Sequence, residues 1–135
     1  MSQRIILNKL DKPKNKNLES DALWICESLG FSSGRDIENT STKVIISLLK
    51  NLSHEGKTSS EAIAEDLDIK ISRVNYHIRS LVNSGLVYRE RRSLYLRGGS
   101  FKTAIQEMRK DADRIFEDLE KVAEEIDGKM GIKNR

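Results

Sequence analysis

The sequence predicts a mainly α fold with one small β-hairpin wing (α+β), followed by a long C-terminal helix. Three observations carry this. Between Lys57 and Arg97 the chain reads helix, tight turn, helix and then two short alternating strands. From Phe101 to Ile126 apolar residues recur at alternating intervals of four and three without a break. Basic charge is also concentrated: residues 70–97 hold seven basic side chains (Lys70, Arg73, Arg79, Arg89, Arg91, Arg92 and Arg97) against one acidic one, Glu90, although the 135-residue chain carries only +3 overall.

A chain of this length suits one domain with an attached helix or two. With 37% hydrophobic and 33% charged residues it can bury a core, and it has no apolar run of membrane-spanning length. The opening MSQRIILNKLDK is too short and too soon charged for a secretory signal, so a cytoplasmic location is expected. The single cysteine, Cys26, cannot form an internal disulfide and has no CxxC companion for zinc. Its setting in the run ALWIC reads as a small buried hydrophobe.

Taken in order, residues 1–16 form a basic N-terminal arm. A short apolar patch (Ile5, Ile6, Leu7, Leu10) precedes Lys12, Pro13, Lys14, Asn15 and Lys16. The arm is expected either to be ordered only by a partner or to fray. Residues 17–40 hold a helix over 18–29 and a loop. Leu18, Ala22, Ile25, Cys26 and Leu29 share one helical face, Gly30 stops the helix, and Trp24 lies off that stripe, placed for a second surface such as another subunit. The loop is FSSGRDIENT.

Residues 41–99 form the next unit. A helix from about Ser41 to Leu52 carries Val44, Ile45, Leu48, Leu49 and Leu52, with Gly56 as its cap residue. Thr58-Ser-Ser-Glu61 fits a capping box opening a short helix with Ala62, Ile63 and Leu67. Asp68 takes the turn, where aspartate tolerates a left-handed backbone. A helix from about Ile71 to Ser84 packs inward through Val74, Ile78, Leu81 and Val82, and Gly85 stops it. LVYRE and SLYLR then alternate as half-buried strands around Arg91-Arg92. This order is the layout of a winged helix-turn-helix, a nucleic-acid reader.

Residues 100–128 are the predicted dimerisation helix. Phe101, Ile105, Met108, Ala112, Ile115, Leu119, Val122 and Ile126 make an unbroken seven-residue repeat. So long a seam cannot be buried on so small a domain. Pairing with a twin across a two-fold axis is expected, with folding back onto residues 18–29 the alternative and both possible together, since Phe116 and Ala123 widen the stripe. Gly128 is expected to end the helix, leaving a basic tail over 129–135.

The segment SSEAIAEDLDIKISRVNYHIRSLVNSGLVYRERRSLYLR resembles the winged-helix core of ArsR-like transcriptional regulators. The resemblance rests on Ile63-Ala64, Leu67, Ile69, Val74, His77-Ile78, Leu81 and Gly85-Leu86-Val87, and covers about forty residues. It implies a symmetric dimer built from terminal helices, with two recognition helices and two wings facing DNA. The chain departs from the pattern at Lys70, which stands where serine often caps the recognition helix, and at a short wing tip without glycine. It also lacks the cysteine pair of the metal-responsive members, so metal-gated repression is not expected.

On the predicted recognition helix the outward face offers Ser72, Arg73, Tyr76 and Arg79, with Asn75 and His77 at its sides. Arginine can grip guanine and asparagine adenine through paired hydrogen bonds, so Arg73, Asn75 and Tyr76 are expected at bases or in the groove. Lys70 and Ser72 lie at the helix start, where amides and charge favour phosphate. Arg79, Arg89, Arg91, Arg92 and Arg97 are expected on phosphates, which position without specifying. His77 either faces the groove or hydrogen-bonds inside the domain.

No metal site, cofactor or enzymatic activity is expected. There are two histidines without carboxylates at ligand spacing, and no nucleophile elbow or paired catalytic residues. Gly56-Lys57-Thr58 resembles the end of a phosphate-binding loop, but Asn51 stands where its first glycine is required. The leading expectation is a homodimeric, sequence-specific regulator of double-stranded DNA. The second is a winged-helix protein of RNA or the ribosome, using the same basic face and the arm. The third is a scaffold docking an acidic protein.

Overall fold

The computed structural model describes residues 2–32 and 38–133. Half of the loop expected over 31–40 and the last two residues of the tail therefore lie outside the described residues. Five helices and one hairpin follow in order: α1 (Leu18–Ser28), α2 (Thr40–Glu55), α3 (Ser60–Leu67), α4 (Ile71–Ser84), β1 (Val87–Glu90), β2 (Ser93–Leu96), a 3-10 turn at Arg97–Gly99, and α5 (Phe101–Met130). The strands pair antiparallel with Tyr88 opposite Tyr95 and Glu90 opposite Ser93. The fold is a winged helix-turn-helix followed by a long C-terminal helix.

The core gathers one face of each element. Val44, Ile45 and Leu48 of α2, Ile63 of α3, and Val74, Ile78 and Leu81 of α4 are buried together with Leu86, Val87 and Leu94 of the wing. Cys26 of α1 is fully buried in the same cluster. These are the positions at three- and four-residue spacing read from the sequence, so burial of apolar area supplies the drive to assemble the helices. Gly56 and Gly85 close α2 and α4 with left-handed backbones.

Three boundaries differ from expectation. The first helical turn of α3 is capped by Ser59, whose hydroxyl accepts from the Ala62 amide at 3.1 Å, and not by Thr58. Thr58 is taken up by the wing: its amide donates to the Leu94 carbonyl at 3.1 Å and its carbonyl accepts from the Leu94 amide at 2.7 Å. Ser59→Ala is expected to cost about 1 kcal/mol, a melting shift of roughly 4 °C. Calorimetry checks this, and Thr58→Ser, which keeps the backbone pairing, is the milder control. Next, α2 runs on through Ser53, His54 and Glu55. Last, α5 passes straight through Gly128 and ends at Gly131. An exposed mid-helix glycine costs about 1 kcal/mol against alanine, too little to stop a helix with turns on both sides.

The arm is where structure and expectation differ most. Residues 3–10 are held by their own chain. The Arg4 amide donates to the Asn83 carbonyl at 3.0 Å and the Asn8 amide to the Ser28 carbonyl at 2.8 Å. Trp24, expected to reach a second surface such as another subunit, meets the arm of its own chain, its indole N–H donating to the Leu10 carbonyl at 3.3 Å. Ile6 lies so close to Gly30 that a Cβ added there would sit 2.8 Å from its Cγ2. Gly30 thus both ends α1 and admits the arm.

The predicted seam of α5 divides in two. Phe101, Ile105 and Met108 pack in the chain's own core with Ala104. Met108 is thereby buried within its own chain, while Phe101 and Ile105 stay half-buried and Ile105 lines an open groove. Ala112 is half-buried at the edge, and from Ile115 onward the helix leaves the domain with its apolar stripe exposed.

Candidate nucleic-acid interface

The recognition helix α4 presents the face that the spacing requires. With Val74 and Ile78 fully buried and Leu81 nearly so, Ser72, Arg73, Tyr76 and Arg79 turn outward and Asn75 and His77 sit at the sides. Lys70 is the cap residue and makes no side-chain capping bond. Lys70 is exposed at the positive end of the helix dipole, a combination that suits an anion and not another cation. Tyr76, 63% exposed, is the most exposed large hydrophobic side chain of this helix.

The wing is placed against α4 by its inward strand positions. Val87 and Leu94 are buried while Tyr88 and Tyr95 stack on the other face, rings 5.2 Å apart. The Arg89 guanidinium spans from β1 to Ser60 Oγ at 3.3 Å and Asn75 Oδ1 at 3.5 Å. It thereby links the wing to the starts of both α3 and α4. Asn75, Arg79 and Arg89 line an open cleft of about 300 Å3 floored by Ile78 and Val82. At the hairpin tip Arg91 and Arg92 are exposed. Arg91 holds a left-handed backbone at φ 57°, a position that glycine fills at less cost.

Besides Arg89, two of the expected contact arginines are engaged within the chain. Arg73 donates to Thr40 Oγ1 at 2.9 Å and lies 3.6 Å from Glu38, so it leans over the start of α2. The Arg97 guanidinium is bound in two places by Asp111 of α5, one contact at 3.1 Å, and its side chain is 31% exposed. The other six basic side chains of residues 70–97 remain exposed.

Asp111 was not anticipated as a key residue. Only 5% exposed, it accepts from Arg97, from Arg114 and, at 2.7 Å, from the Gln3 amide. Gln3 also donates to the Ser84 carbonyl at 2.9 Å. Arm, recognition-helix end, wing base and α5 thus meet at one carboxylate. The hydrogen bond from Arg97 holds the Asp111 carboxyl below its usual range against the opposing effect of burial, and the same bond raises the Arg97 guanidinium. Gly85 permits the crossing, since a Cβ there would fall 2.6 Å from Gln3 Nε2. One signal in the sequence marks Asp111: it shares a helical face with Ala104 and Met108, a carboxylate on an apolar stripe.

Residues 41–88, from the start of α2 to the first wing strand, match the family of winged helix-turn-helix DNA-binding domains. No curated protein and no solved structure matches the chain. Among the described residues no helix is long and apolar enough to cross a membrane.

Proposed function

We propose that the chain is a homodimeric, sequence-specific DNA-binding transcriptional regulator of ArsR-like type, with α4 in the major groove and the wing on the backbone. The observation that carries this reading is the cleft between α4 and the wing, where Arg79 and Arg89 flank Asn75, with Arg91 and Arg92 exposed beyond it. Groove-facing and backbone-facing cations lie side by side within a domain whose family is described as DNA-binding. The left-handed Arg91 supports the same assignment. Strain held at an exposed tip is tolerated where the side chain serves a purpose.

In this reading Ser72, Tyr76 and Asn75 read the groove. Arg73 joins them once it leaves Glu38 for a base or phosphate. Lys70, Arg79, Arg89, Arg91 and Arg92 neutralise phosphates. The RNA reading draws on the basic arm, whose Lys12, Lys14 and Lys16 are exposed beyond the stretch bound to its own chain, and the matching family favours DNA.

The test is selection from a random double-stranded DNA pool, followed by affinity measurements over a salt series. An inverted repeat with half-sites about one helical turn apart is expected. Replacing Arg91 and Arg92 together by alanine should weaken every sequence to a similar degree and lower the salt slope by about 2. Tyr76→Ala should instead change the preferred sequence. Equal recovery of all pool sequences, with preferential retention of RNA, would reject the reading.

A further inference from the structure

Arg73, on the outward face of α4, is held by the residues that open α2. One of its terminal nitrogens, Nη2, donates to Thr40 Oγ1 at 2.9 Å and lies 3.6 Å from Glu38 Oε2. Asn39 between them has a left-handed backbone at φ 54°, a conformation that asparagine tolerates better than most residues. The turn it makes leaves Glu38 and Thr40 both against Arg73. Glu38 precedes the residues matched by the family, which begin at 41, so the contact joins the reading helix to a residue outside the matched domain.

The atom that is occupied decides what Arg73 can do. Arginine reads guanine by presenting two N–H groups to O6 and N7. A guanidinium has two edges for this, the Nε–Nη2 side and the Nη1–Nη2 end, and both include Nη2. While Thr40 and Glu38 hold that nitrogen neither edge is open, and Nη1 and Nε can make single contacts only. A single contact suits a phosphate, which positions without specifying. Nothing locks the held state. The Glu38 side chain is 71% and that of Arg73 48% exposed, and an exposed ion pair holds by no more than about fivefold. The positive end of α2 lies beside the guanidinium and weakens the hold further. A paired contact to guanine favours the right base by roughly five- to a hundredfold, so it displaces the carboxylate. A lone phosphate, which exchanges one exposed anion for another, does not.

We infer that Glu38 is an intrachain competitor of the operator, occupying the base-reading edges of Arg73 until a correctly placed guanine displaces it. Thr40 supports it from the start of α2. On unselected DNA Arg73 stays with Glu38. On the operator the pair breaks, and its strength is subtracted from operator affinity alone. Glu38 thus sets both the affinity and the sequence selectivity of the α4 surface, acting through Arg73. This rests on the major-groove reading in the proposed function and adds a specificity-determining residue that lies outside the helix-turn-helix.

The experiment uses the full chain as parent, Glu38→Gln, Arg73→Ala and the double variant. Affinity is measured for two duplexes of equal length, the operator recovered by selection and a scrambled sequence. Glu38→Gln removes a charge at an exposed position and leaves the core alone. It is expected to tighten operator binding about threefold and to change scrambled binding by less than about 1.5-fold, so that selectivity rises about twofold or more. In the Arg73→Ala chain the same substitution is expected to change neither. Equal tightening on both duplexes, or an undiminished gain in the Arg73→Ala chain, would show Glu38 repelling phosphates directly and overturns the inference. Unchanged operator binding overturns it as well, and so does weaker operator binding, which would place the carboxylate behind Arg73 in the complex. In each of these cases the DNA-binding regulator stands. A parent that binds the two duplexes equally overturns the regulator and the inference together.

Discussion

Leu119→Glu is expected to convert the proposed dimer to a monomer and to lower its affinity for an inverted repeat by two orders of magnitude or more. Leu119 is exposed within one chain and central in the distal stripe, so glutamate there does no harm to the folded monomer. In the proposed dimer it would bury an unpaired carboxylate among Ile115, Val122 and Ile126. Losing the second subunit removes the gain from binding two half-sites at once, which ranges over about 10²–10⁴. Affinity for an isolated half-site should change by less than about twofold, because the α4 and wing surfaces are untouched. Light scattering and titration of full and half operators read the two effects separately. A variant that stays dimeric, or a monomer that binds the full operator as well as the parent, would remove the stripe from the account of function.

Asp111→Ala is expected to destabilise the folded chain by about 2–4 kcal/mol. The carboxylate is nearly sealed from solvent and holds Arg97, Arg114 and Gln3. Its removal leaves the Arg97 guanidinium without its main partner. The cost stays below that of a fully buried pair because Arg97 is 31% exposed and keeps Glu107 at 3.9 Å. Arm and wing base should loosen together, seen as faster amide exchange at Arg4 and at Arg97, whose N–H bonds end on Asn83 and Leu86. The pH dependence has a definite sign. Arg97 lowers the Asp111 pKa in the folded chain, so its contribution is full well above the ordinary carboxylate value of about 4 and fades as pH falls through and below it. The gap in stability between the parent and Asp111→Asn should therefore be widest at neutral pH and narrow as pH falls below the ordinary carboxylate range. A gap that is flat with pH, or a loss under about 0.5 kcal/mol for alanine, would show that the four-way junction contributes little.

What was legible in the sequence was local. Val74, Ile78 and Leu81 announce the inner face of α4 by spacing alone, and with it the outward Ser72, Tyr76 and Arg79. The alternation in LVYRE and SLYLR announces the wing, and Gly56 and Gly85 the ends of two helices. These readings hold because periodicity and cap chemistry act within a few residues. Thr58 shows the limit: its capping pattern is sound by itself, yet Leu94, thirty-six positions later, takes its backbone and passes the cap to Ser59. The arm is a second case, since nothing in Arg4 or Asn8 declares that Asn83 and Ser28 will accept their amides.

The sequence by itself therefore determined the order of elements, the inner faces that bury the core, and the run of cations on α4 and the wing. All of these follow from short-range repeat and composition. Tertiary structure alone decided how those cations are engaged within the chain: Arg97 is bound by Asp111, Arg73 leans on Thr40 and Glu38, and Arg89 bridges Ser60 and Asn75. It also divided one uniform heptad seam into a half that completes the chain's own core and a half that stands exposed. The reason in both cases is that partners distant in the chain, brought within hydrogen-bonding or packing distance by the fold, set the energy of each side chain, and a periodic pattern carries no record of where the covering surface ends.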